Sequence, residues 1–535
     1  MSPVFNASTY LVDRHVEAGD GDRIAVTGPG GTLTYADLLG RIRRTAAGLR
    51  ELGVRPEERV MLSMADGPDL LTLILAAMRI GAVPVPVSTM LTAKDLAELL
   101  RDSRARVLAA SPEFAASAEE AAQSAPELAA LLLSGPAAPR PPAWAEGHRL
   151  DAVAGDEGGG DPYSTDPDSS ALWLYTSGTT GLPKAAVHRH ASIRSIAETY
   201  GAQVLGIRPE DRCFSVPKLF FAYGIGNACF FPLAAGASAV LEPGRPTPAL
   251  IAERVARERP TLFFGVPTFY AALLAAGLPA ETFAPVRTAV SAGEPLPAPI
   301  LRRFAERFGV EILDGIGATE ALHIFISNRA GQVRPGSTGV PVPGYDVRVV
   351  DDAGADVPSG TPGHLLVRGD SIATGYWCRT AVTRQVFQGE WLRTGDTYVL
   401  DEDGSYRFLG RSNDMIKAGG IWVSPSEVEA RLLEHPGVAQ AAVVALPDGD
   451  GLDKPAAALV RAPGSAVTTE EIIAFCREGL AAFKRPRSVH FVDSLPTTAT
   501  GKIKRYLVRE HLAQDGLTSP APDDGARGLL DETRS

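Results

Sequence analysis

The sequence predicts an α/β protein with a large N-terminal domain of parallel-type sheets covered by helices, a β-barrel-like section ending that domain, and a small C-terminal α+β domain. In the first part of the chain, short runs rich in Val, Ile, Leu and Phe alternate with stretches of helical period, such as residues 35–52 and 250–258. This alternation is typical of parallel sheets with helices on their faces. The length of 535 residues exceeds the roughly 250 to 300 residues over which a single core grows, so at least two domains are expected.

Three stretches of the N-terminal part have individual interpretations. Residues 70–87 are apolar but are interrupted by Arg79, Gly81 and two prolines, which predicts a buried helix and strand rather than a membrane span. Residues 109–132 are rich in Ala and Glu and are predicted to be helical. Residues 135–170 are dense in Pro, Gly, Asp and Ser and are predicted to form a surface connection.

The pattern changes twice in the second half of the chain. From about Asp346, short alternating runs are separated by DDAG and DEDG turns, which predict the antiparallel hairpins of the barrel-like section. After Arg411 the predicted order is helix, strand, strand, helix, strand, over residues 424–434, 438–446, 454–460, 468–480 and 488–492. These changes place the large domain at residues 1–410 and the small domain at 411–515, followed by a disordered tail at 516–535.

The composition excludes several classes of protein. Hydrophobic residues at 45% and charged residues at 21% are ordinary globular values. A net charge of −11 would repel a polyphosphate backbone, so no nucleic-acid partner is expected. The four cysteines are far apart without a CxxC pair, which favours reduced thiols over disulfides or a zinc site. With neither a signal sequence nor a membrane span, the protein is predicted to be cytoplasmic.

Residues 175–184 read YTSGTTGLPK and follow an apolar strand. Hydroxyl residues and glycines let backbone amides close around phosphate oxygens, and Lys184 adds a positive charge. The loop lacks the Walker A pattern, and a generic Ser/Thr/Gly turn is the alternative for a shorter match. The residues predicted to bind ATP phosphates here are Thr176, Ser177, Gly178, Thr179 and Thr180.

This loop resembles that of the adenylate-forming superfamily, which comprises acyl-CoA synthetases, peptide-synthetase adenylation domains and luciferases. The resemblance covers residues 10–510, and further motifs arrive in the family's order: SAGEP, DGIGATE, WLRTGD, GRSNDMIK and PTTATGK. It implies a large N-terminal domain of two parallel-type sheets with a barrel-like section, and a small mobile C-terminal domain. It also implies the co-substrates ATP and CoA, with Mg²⁺ as the cofactor.

The resemblance assigns nucleotide and catalytic roles to the motif residues. The implied ATP and AMP contacts are Ala292, Gly293, Glu294, Asp314, Gly315, Ile316, Gly317, Thr319, Asp396, Arg411 and Lys502, with Glu320 holding Mg²⁺. A carboxylate attacking the ATP α-phosphate brings negative groups together, so the catalyst must neutralise charge. The implied catalytic residues are therefore Lys502, Thr319, Glu320 and Lys184. Taken alone, SAGEP could also be a strand-ending turn, TGD is more often a turn, and a single GK is more often a solvated surface lysine.

In the family, the second half-reaction is attack of a thiol on the acyl-adenylate after the small domain rotates. The resemblance then assigns the glycine loop to Gly419, Gly420 and Ile421, and the hinge to Asn413, where the family usually has Asp. Lys484 is a candidate contact for the CoA nucleotide, with solvated surface charge as the alternative. An acyl carrier protein could accept the acyl group in place of CoA.

Two segments resemble the benzoate–CoA ligase group: KLFFAYGIGN at 218–227 and ALHIFISN at 321–328. They imply an aryl pocket lined by Phe221, Ala222, Tyr223, Gly317, His323 and Ile324. Flat apolar walls with a few polar groups fit a small aromatic acid, although composition alone would make these residues ordinary core. The bulk of Tyr223 and Ile324 would leave little room for a para substituent, which favours benzoate over 4-hydroxybenzoate.

The predicted activity is that of a benzoate–CoA ligase acting as a monomer or homodimer. Two alternatives stay open: a stand-alone aryl acid adenylation enzyme that loads a carrier protein, and a non-catalytic protein that binds an aryl acid or its adenylate. Comparing turnover with CoA and with a holo carrier protein distinguishes the ligase from the loading enzyme. Acid-dependent ATP–pyrophosphate exchange distinguishes either enzyme from the non-catalytic binding protein.

Overall fold

The computed structural model describes residues 4–155, 157–177, 183–411, 414–418, 421–447, 453–497 and 503–516. The chain divides into two compact units, with the division between residues 412 and 413. None of the helices in these described ranges is long and apolar enough to cross a membrane.

The largest sheet of the N-terminal unit has a parallel centre with antiparallel strands at both edges. Its nine strands, in spatial order, are Val340–Pro341, Ile324–Ser327, Ile312–Gly317, Thr288–Ser291, Leu262–Gly265, Arg212–Ser215, Ser238–Val240, Ile24–Gly28 and Gly31–Thr34. The central strands are buried along their whole length, as expected for a sheet covered on both faces.

A second sheet of this unit is parallel throughout. Its five strands are Val83–Pro86, Arg59–Ser63, Val107–Ala110, Ala130–Leu133 and Glu146–Arg149. Helix Pro68–Arg79 is buried on nearly all of its surface, and the main hydrophobic core contains its side chains together with those of both sheets. A helix that is apolar all round is buried between layers. The two parallel-type sheets that the sequence predicted are confirmed.

The other helices of the N-terminal unit connect or cover these strands. They are Thr9–Asp13, Arg14–Glu17, Tyr35–Glu51, Ala93–Ser103, Ala115–Ala122, His190–Ile196, Ala197–Val204, Ala222–Ile225, Gly226–Phe230, Phe231–Ala235, Pro248–Glu258, Pro267–Ala275, Ala298–Phe308 and Thr380–Val386. Single helical turns occur at Pro112–Phe114, Leu150–Ala152, Glu157–Gly160, Ala280–Phe283 and Thr319–Ala321.

The helical prediction for residues 109–132 was wrong at both ends. Only Ala115–Ala122 is a helix of any length, while Val107–Ala110 and Ala130–Leu133 are buried strands. Ala and Leu favour helices locally, but burial inside a parallel sheet overrides that preference. The predicted surface connection at 135–170 likewise contains the edge strand Glu146–Arg149.

The section after residue 345 is antiparallel, as the turn pattern predicted. Its strands are Asp346–Val350, Gly363–Arg368, Trp391–Leu400, Phe387–Gln388 and Tyr406–Arg411. A separate hairpin pairs Ser170–Ser177 with Pro183–Arg189.

The C-terminal unit is an α+β fold with a two-stranded and a three-stranded sheet. Its strands are Ile416–Ala418, Ile421–Val423, Val438–Pro447, Asp453–Arg461 and Ser488–Phe491, and its helices are Pro425–Leu433, Thr469–Gly479, the turn Ala482–Lys484, and Arg505–Gly516. The predicted order of elements from residue 424 to 492 is confirmed. Most of the predicted tail, from residue 517 onward, lies outside the described residues.

Candidate active site

The order of strands in the large sheet creates a crevice at one position. Strands Arg212–Ser215 and Leu262–Gly265 are neighbours, but the chain leaves the first toward Ser238–Val240 and the second toward Thr288–Ser291, on opposite sides. In open α/β sheets, ligands bind in such a crevice at the carboxyl ends of the strands. The segment 218–227, predicted to line the aryl pocket, begins three residues after strand Arg212–Ser215 ends at this edge.

Two motif residues lie side by side at the same edge. Ser291 and Asp314 are register partners on adjacent parallel strands. Burial raises the pKa of the Asp314 carboxyl well above its ordinary value, and its Oδ1 atom has no hydrogen-bond partner among the described residues. Gly293 then turns the chain with φ +97, a conformation that L side chains disfavour. A buried, unsatisfied oxygen is costly unless a ligand completes it.

The phosphate-loop hairpin brings Lys184 close to Glu320. Lys184 is the register partner of Thr176, and its Nζ atom lies 4.7 Å from the centroid of the Tyr376 ring. The Tyr376 hydroxyl donates to Glu320 Oε1 at 2.5 Å. Burial and the Glu320 carboxylate raise the pKa of Tyr376, so the phenol stays protonated and acts as a donor. Two of the predicted catalytic residues are thus joined through one tyrosine.

The turn Thr319–Ala321 is held from two sides. His188 Nε2 donates to the Thr319 carbonyl oxygen at 2.8 Å, and the amide of Ala373 donates to the carbonyl oxygen of Glu320 at 2.8 Å. Burial lowers the pKa of His188 to about 4, which keeps the ring neutral near pH 7. The proton is assigned to Nε2 because that atom faces a carbonyl.

Asp396 and Arg411, both predicted ribose contacts, are register partners on adjacent antiparallel strands. Arg411 Nε lies 3.1 Å from Asp396 Oδ1, and Arg411 also donates to the Thr394 carbonyl at 3.0 Å. The pKa of the nearby Tyr398 is raised by burial, then by Asp396 and, more weakly, by Asp314. The ribose and adenine candidates therefore both act electrostatically on the same buried tyrosine.

His323 sits in an aromatic enclosure. Its ring centroid lies 4.5 Å from that of Phe231, 5.3 Å from that of Tyr200 and 5.5 Å from that of Tyr223. His323 Nε2 lies 3.1 Å from Asn227 Oδ1 and 3.3 Å from the Tyr223 carbonyl oxygen. Both neighbours are acceptors, so Nε2 carries the proton. Burial lowers the pKa of His323 to about 3, and the ring is neutral.

The enclosure leaves polar atoms for a ligand. His323 Nδ1, Asn227 Nδ2 and the Tyr200 hydroxyl have no hydrogen-bond partner within the described ranges. The Tyr223 hydroxyl already has a partner, since it donates to the Val290 carbonyl oxygen at 3.1 Å. A few unsatisfied polar atoms among flat apolar walls are typical of a small-molecule site.

The other residues predicted to line the aryl pocket differ in how closely they contact this enclosure. Gly317 is the register partner of Ile324, and a side chain at Gly317 would meet the His323 carbonyl at 2.5 Å. Ala222 is buried beside Tyr223. Phe221 packs on Phe220 with centroids 4.4 Å apart, and no ring contact joins it to His323 in the part of the chain that the structure describes.

Glu320 suits a magnesium ion bridged to substrate phosphates. Among the described residues, no cluster of three or more His, Cys, Asp or Glu side chains could hold a metal by itself. Mg²⁺ needs only one or two protein carboxylates when phosphates supply further oxygens. The single hard carboxylate of Glu320, oriented by Tyr376, fits that requirement.

Comparison with known proteins agrees with this geometry. A family model described as AMP-binding enzyme matches residues 12–377, and one described as AMP-binding enzyme C-terminal domain matches residues 427–502. The chain belongs to the AMP-binding enzyme family. Within the adenylate-forming superfamily it falls in the benzoate–CoA ligase group, which confirms the resemblance read from the motifs.

Three relatives of this AMP-binding enzyme are similar over nearly their whole length. A benzoate–CoA ligase of Thauera aromatica is 44% identical over 94% of this chain and 96% of its own. A 4-hydroxybenzoate–CoA/benzoate–CoA ligase of Rhodopseudomonas palustris is 42% identical over 98% and 97%. The crystal structure of a benzoate CoA ligase from Burkholderia xenovorans has a TM-score of 0.87 and 42% identity, covering 95% of this chain and 100% of that one.

Several predicted residues of the enzyme lie outside the described ranges: Gly178, Thr179, Thr180, Asn413, Gly419, Gly420 and Lys502. Ile421 lies in the strand Ile421–Val423. The Lys484 ammonium donates to Glu427 Oε1 at 2.6 Å within the C-terminal unit. A CoA phosphate would have to compete with this ion pair for Lys484.

The sequence analysis missed three residues that the structure brings into the site: Tyr200, Asn227 and Tyr376. Asn227 carries a sequence signal, because it is a polar residue that directly follows the apolar run at 219–226. Tyr376 is the middle residue of a GYW triplet that matches no motif above, and Tyr200 has no local signal at all.

Proposed function

We propose that this enzyme adenylates a small aromatic carboxylic acid, benzoate or a substituted benzoate, with release of pyrophosphate, and transfers the acyl group to CoA to give aryl-CoA and AMP. The enclosure around His323, at the edge that carries Ser291 and Asp314, is the observation that carries the proposal. The group to which the three relatives belong supports it.

The chain's own residues would manage charge in the adenylation step. The substrate carboxylate and the α-phosphate are both negative, so their approach requires fixed positive groups and oriented dipoles. Lys184 supplies one charge, and the hydroxyls and backbone amides of the phosphate loop supply dipoles. When bound at Glu320, Mg²⁺ neutralises phosphate oxygens. Thr319 is assigned to the α-phosphate and Lys502 to the forming acyl phosphate.

The proposal assigns nucleotide binding to the edge of the large domain, residues 1–410. Asp314, Gly315, Ile316 and Gly317 border the adenine, and Ala292, Gly293 and Glu294 border the adenosine. Asp396 borders the ribose together with Arg411, which lies at the junction with the small domain. The small domain, 411–515, carries Lys502 for adenylation and Gly419, Gly420 and Ile421 for the thiol step. Asn413 is the proposed hinge between the state that presents Lys502 for adenylation and the state that presents the glycine loop for the thiol step.

The proposed function is tested by AMP release with a panel of aryl and aliphatic acids, each with ATP, Mg²⁺ and CoA. We expect benzoate to be turned over with the highest kcat/KM and aliphatic acids to be poor substrates. Equal or better kcat/KM for 4-hydroxybenzoate would contradict the preference for an unsubstituted para position. Turnover with a holo carrier protein but not with CoA would favour the loading enzyme, and absence of acid-dependent ATP–pyrophosphate exchange would exclude catalysis.

Asp396→Asn is expected to raise KM for ATP by about tenfold. A carboxylate can accept hydrogen bonds from both ribose hydroxyls, and a bond to a charged acceptor contributes about 1.5 kcal/mol or more. The matched control is Asp401→Asn, because Asp401, one residue beyond strand Trp391–Leu400, pairs with Arg407 of strand Tyr406–Arg411 at 2.8 Å but has no assigned role. Initial rates at varied ATP measure the effect. Equal KM values for the two variants would remove Asp396 from the ATP site.

A further inference from the structure

A buried cluster behind segment 218–227 is not used by the proposed chemistry. Asp66 follows strand Arg59–Ser63 of the second sheet and is 4% exposed. Its carboxylate accepts the Leu219 amide at 3.1 Å through Oδ1 and at 3.3 Å through Oδ2. The two residues are 153 positions apart, so this contact ties one sheet to the ligand segment of the other.

The segment is clamped on its other side through Lys218. The Lys218 ammonium donates to the carbonyl oxygen of Gly244 at 2.8 Å and to that of Glu242. Its own carbonyl accepts the Phe221 amide at 3.0 Å. A side chain at Gly224 would lie 1.9 Å from that same carbonyl, so the backbone is folded tightly just before Tyr223 and Asn227.

The charges facing Asp66 are of both signs. Lys218 attracts its carboxylate, while Glu242 opposes it. Glu242 is itself paired, since Arg254 Nε lies 2.5 Å from Glu242 Oε2. Burial raises the pKa of Asp66 to about 6, against the favourable effects of Lys218 and the Leu219 amide. An ionised carboxylate is thus held here at a cost in stability, and such costs are concentrated at functional sites.

We propose that Asp66 is a positioning residue for the aromatic acid, which acts by holding the Lys218–Leu219 backbone and through it Tyr223 and Asn227 against His323. The inference rests on the proposed function, because that segment is assigned to the aryl pocket. An ionised acceptor binds the Leu219 amide more strongly than a neutral one and also attracts Lys218. Affinity for the acid therefore rises when Asp66 ionises.

The variant Asp66→Asn tests this role because it keeps the shape and one acceptor but removes the charge. We expect KM for benzoate to rise about tenfold at pH 8, with KM for ATP unchanged. In the wild-type enzyme, KM for benzoate falls as pH rises through about 6, and in the variant this dependence disappears.

Stability gives a readout that a merely structural role would not produce. The folded-state pKa of Asp66 is raised from 3.8 to about 6, so the protonated carboxyl favours the folded state. This stability is fully present below pH 3.8 and is lost as pH rises through 6, where the buried group ionises. At pH 8 the neutral Asn avoids the cost of the buried charge. The variant should therefore unfold at the same temperature as the wild type or a higher one, despite its weaker acid binding.

Asp211 offers a matched control at the opposite, amino end of strand Arg212–Ser215. It is also buried, but Arg287, Thr261 and the Arg208 amide lower its pKa against the effect of burial. Asp211→Asn should lower the unfolding temperature at pH 8 and leave KM for benzoate unchanged. An Asp66→Asn variant with unchanged KM for benzoate, or with a lower unfolding temperature and all KM values raised together, would overturn the inference. Absence of exchange with any aromatic acid in the wild type would instead refute the proposed function.

Discussion

Glu320→Gln is expected to lower the rate of acid-dependent ATP–pyrophosphate exchange by about 100- to 1000-fold, the size of effect seen when a single electrostatic stabiliser is removed. The amide keeps the size of the side chain and can still accept the Tyr376 hydroxyl, which now donates to Glu320 Oε1 at 2.5 Å. It cannot supply the negative charge that a hard cation requires. The loss should therefore appear in catalysis rather than in folding.

The control for this variant is Glu306→Gln on the solvent side of helix Ala298–Phe308. It removes the same charge from the protein's surface and should leave exchange unchanged. Titration with Mg²⁺ supplies a second readout, because the Glu320 variant should need a higher metal concentration for half-maximal rate. Exchange at the wild-type rate with unchanged metal dependence would remove Glu320 from the metal site.

Gly226→Ala is expected to lower kcat/KM for the aromatic acid by about 100-fold, the cost of displacing a binding group by about 1 Å. A Cβ atom at this position would lie 2.3 Å from His323 Cδ2. The ring cannot retreat freely, because Phe231 and Tyr200 pack against it. The backbone at Gly226 is helical, with φ −59, so alanine is acceptable there and the effect comes from the ring contact alone.

Gly21→Ala is the control for this effect, since its Cβ atom would meet Ala36 Cβ at an ordinary 3.4 Å. Initial rates at varied benzoate measure kcat/KM, and rates at varied ATP should show an unchanged KM for the nucleotide. If kcat/KM for benzoate is the same in the two variants, the His323 enclosure is not the acid site.

Much of the site could be predicted from the sequence because its parts are local. Thr176 and Lys184 are joined by a short loop, and the hairpin register makes them partners. Asp314 and Glu320 belong to one strand and the turn that follows it. Where burial opposed local preference, as in strands Val107–Ala110 and Ala130–Leu133, the same reasoning failed.

The sequence by itself determined the α/β class and the order of elements in the C-terminal unit, and it singled out the motif residues proposed to border the nucleotide, since each depends on periodicity or on neighbours along the chain. Only the tertiary structure decided which side chains complete the site. Tyr200 and Tyr376 reach it, and Asp66 reaches the backbone behind it, from distant positions through packing between sheets and hairpins. No local pattern encodes such contacts, because they depend on which strands become neighbours.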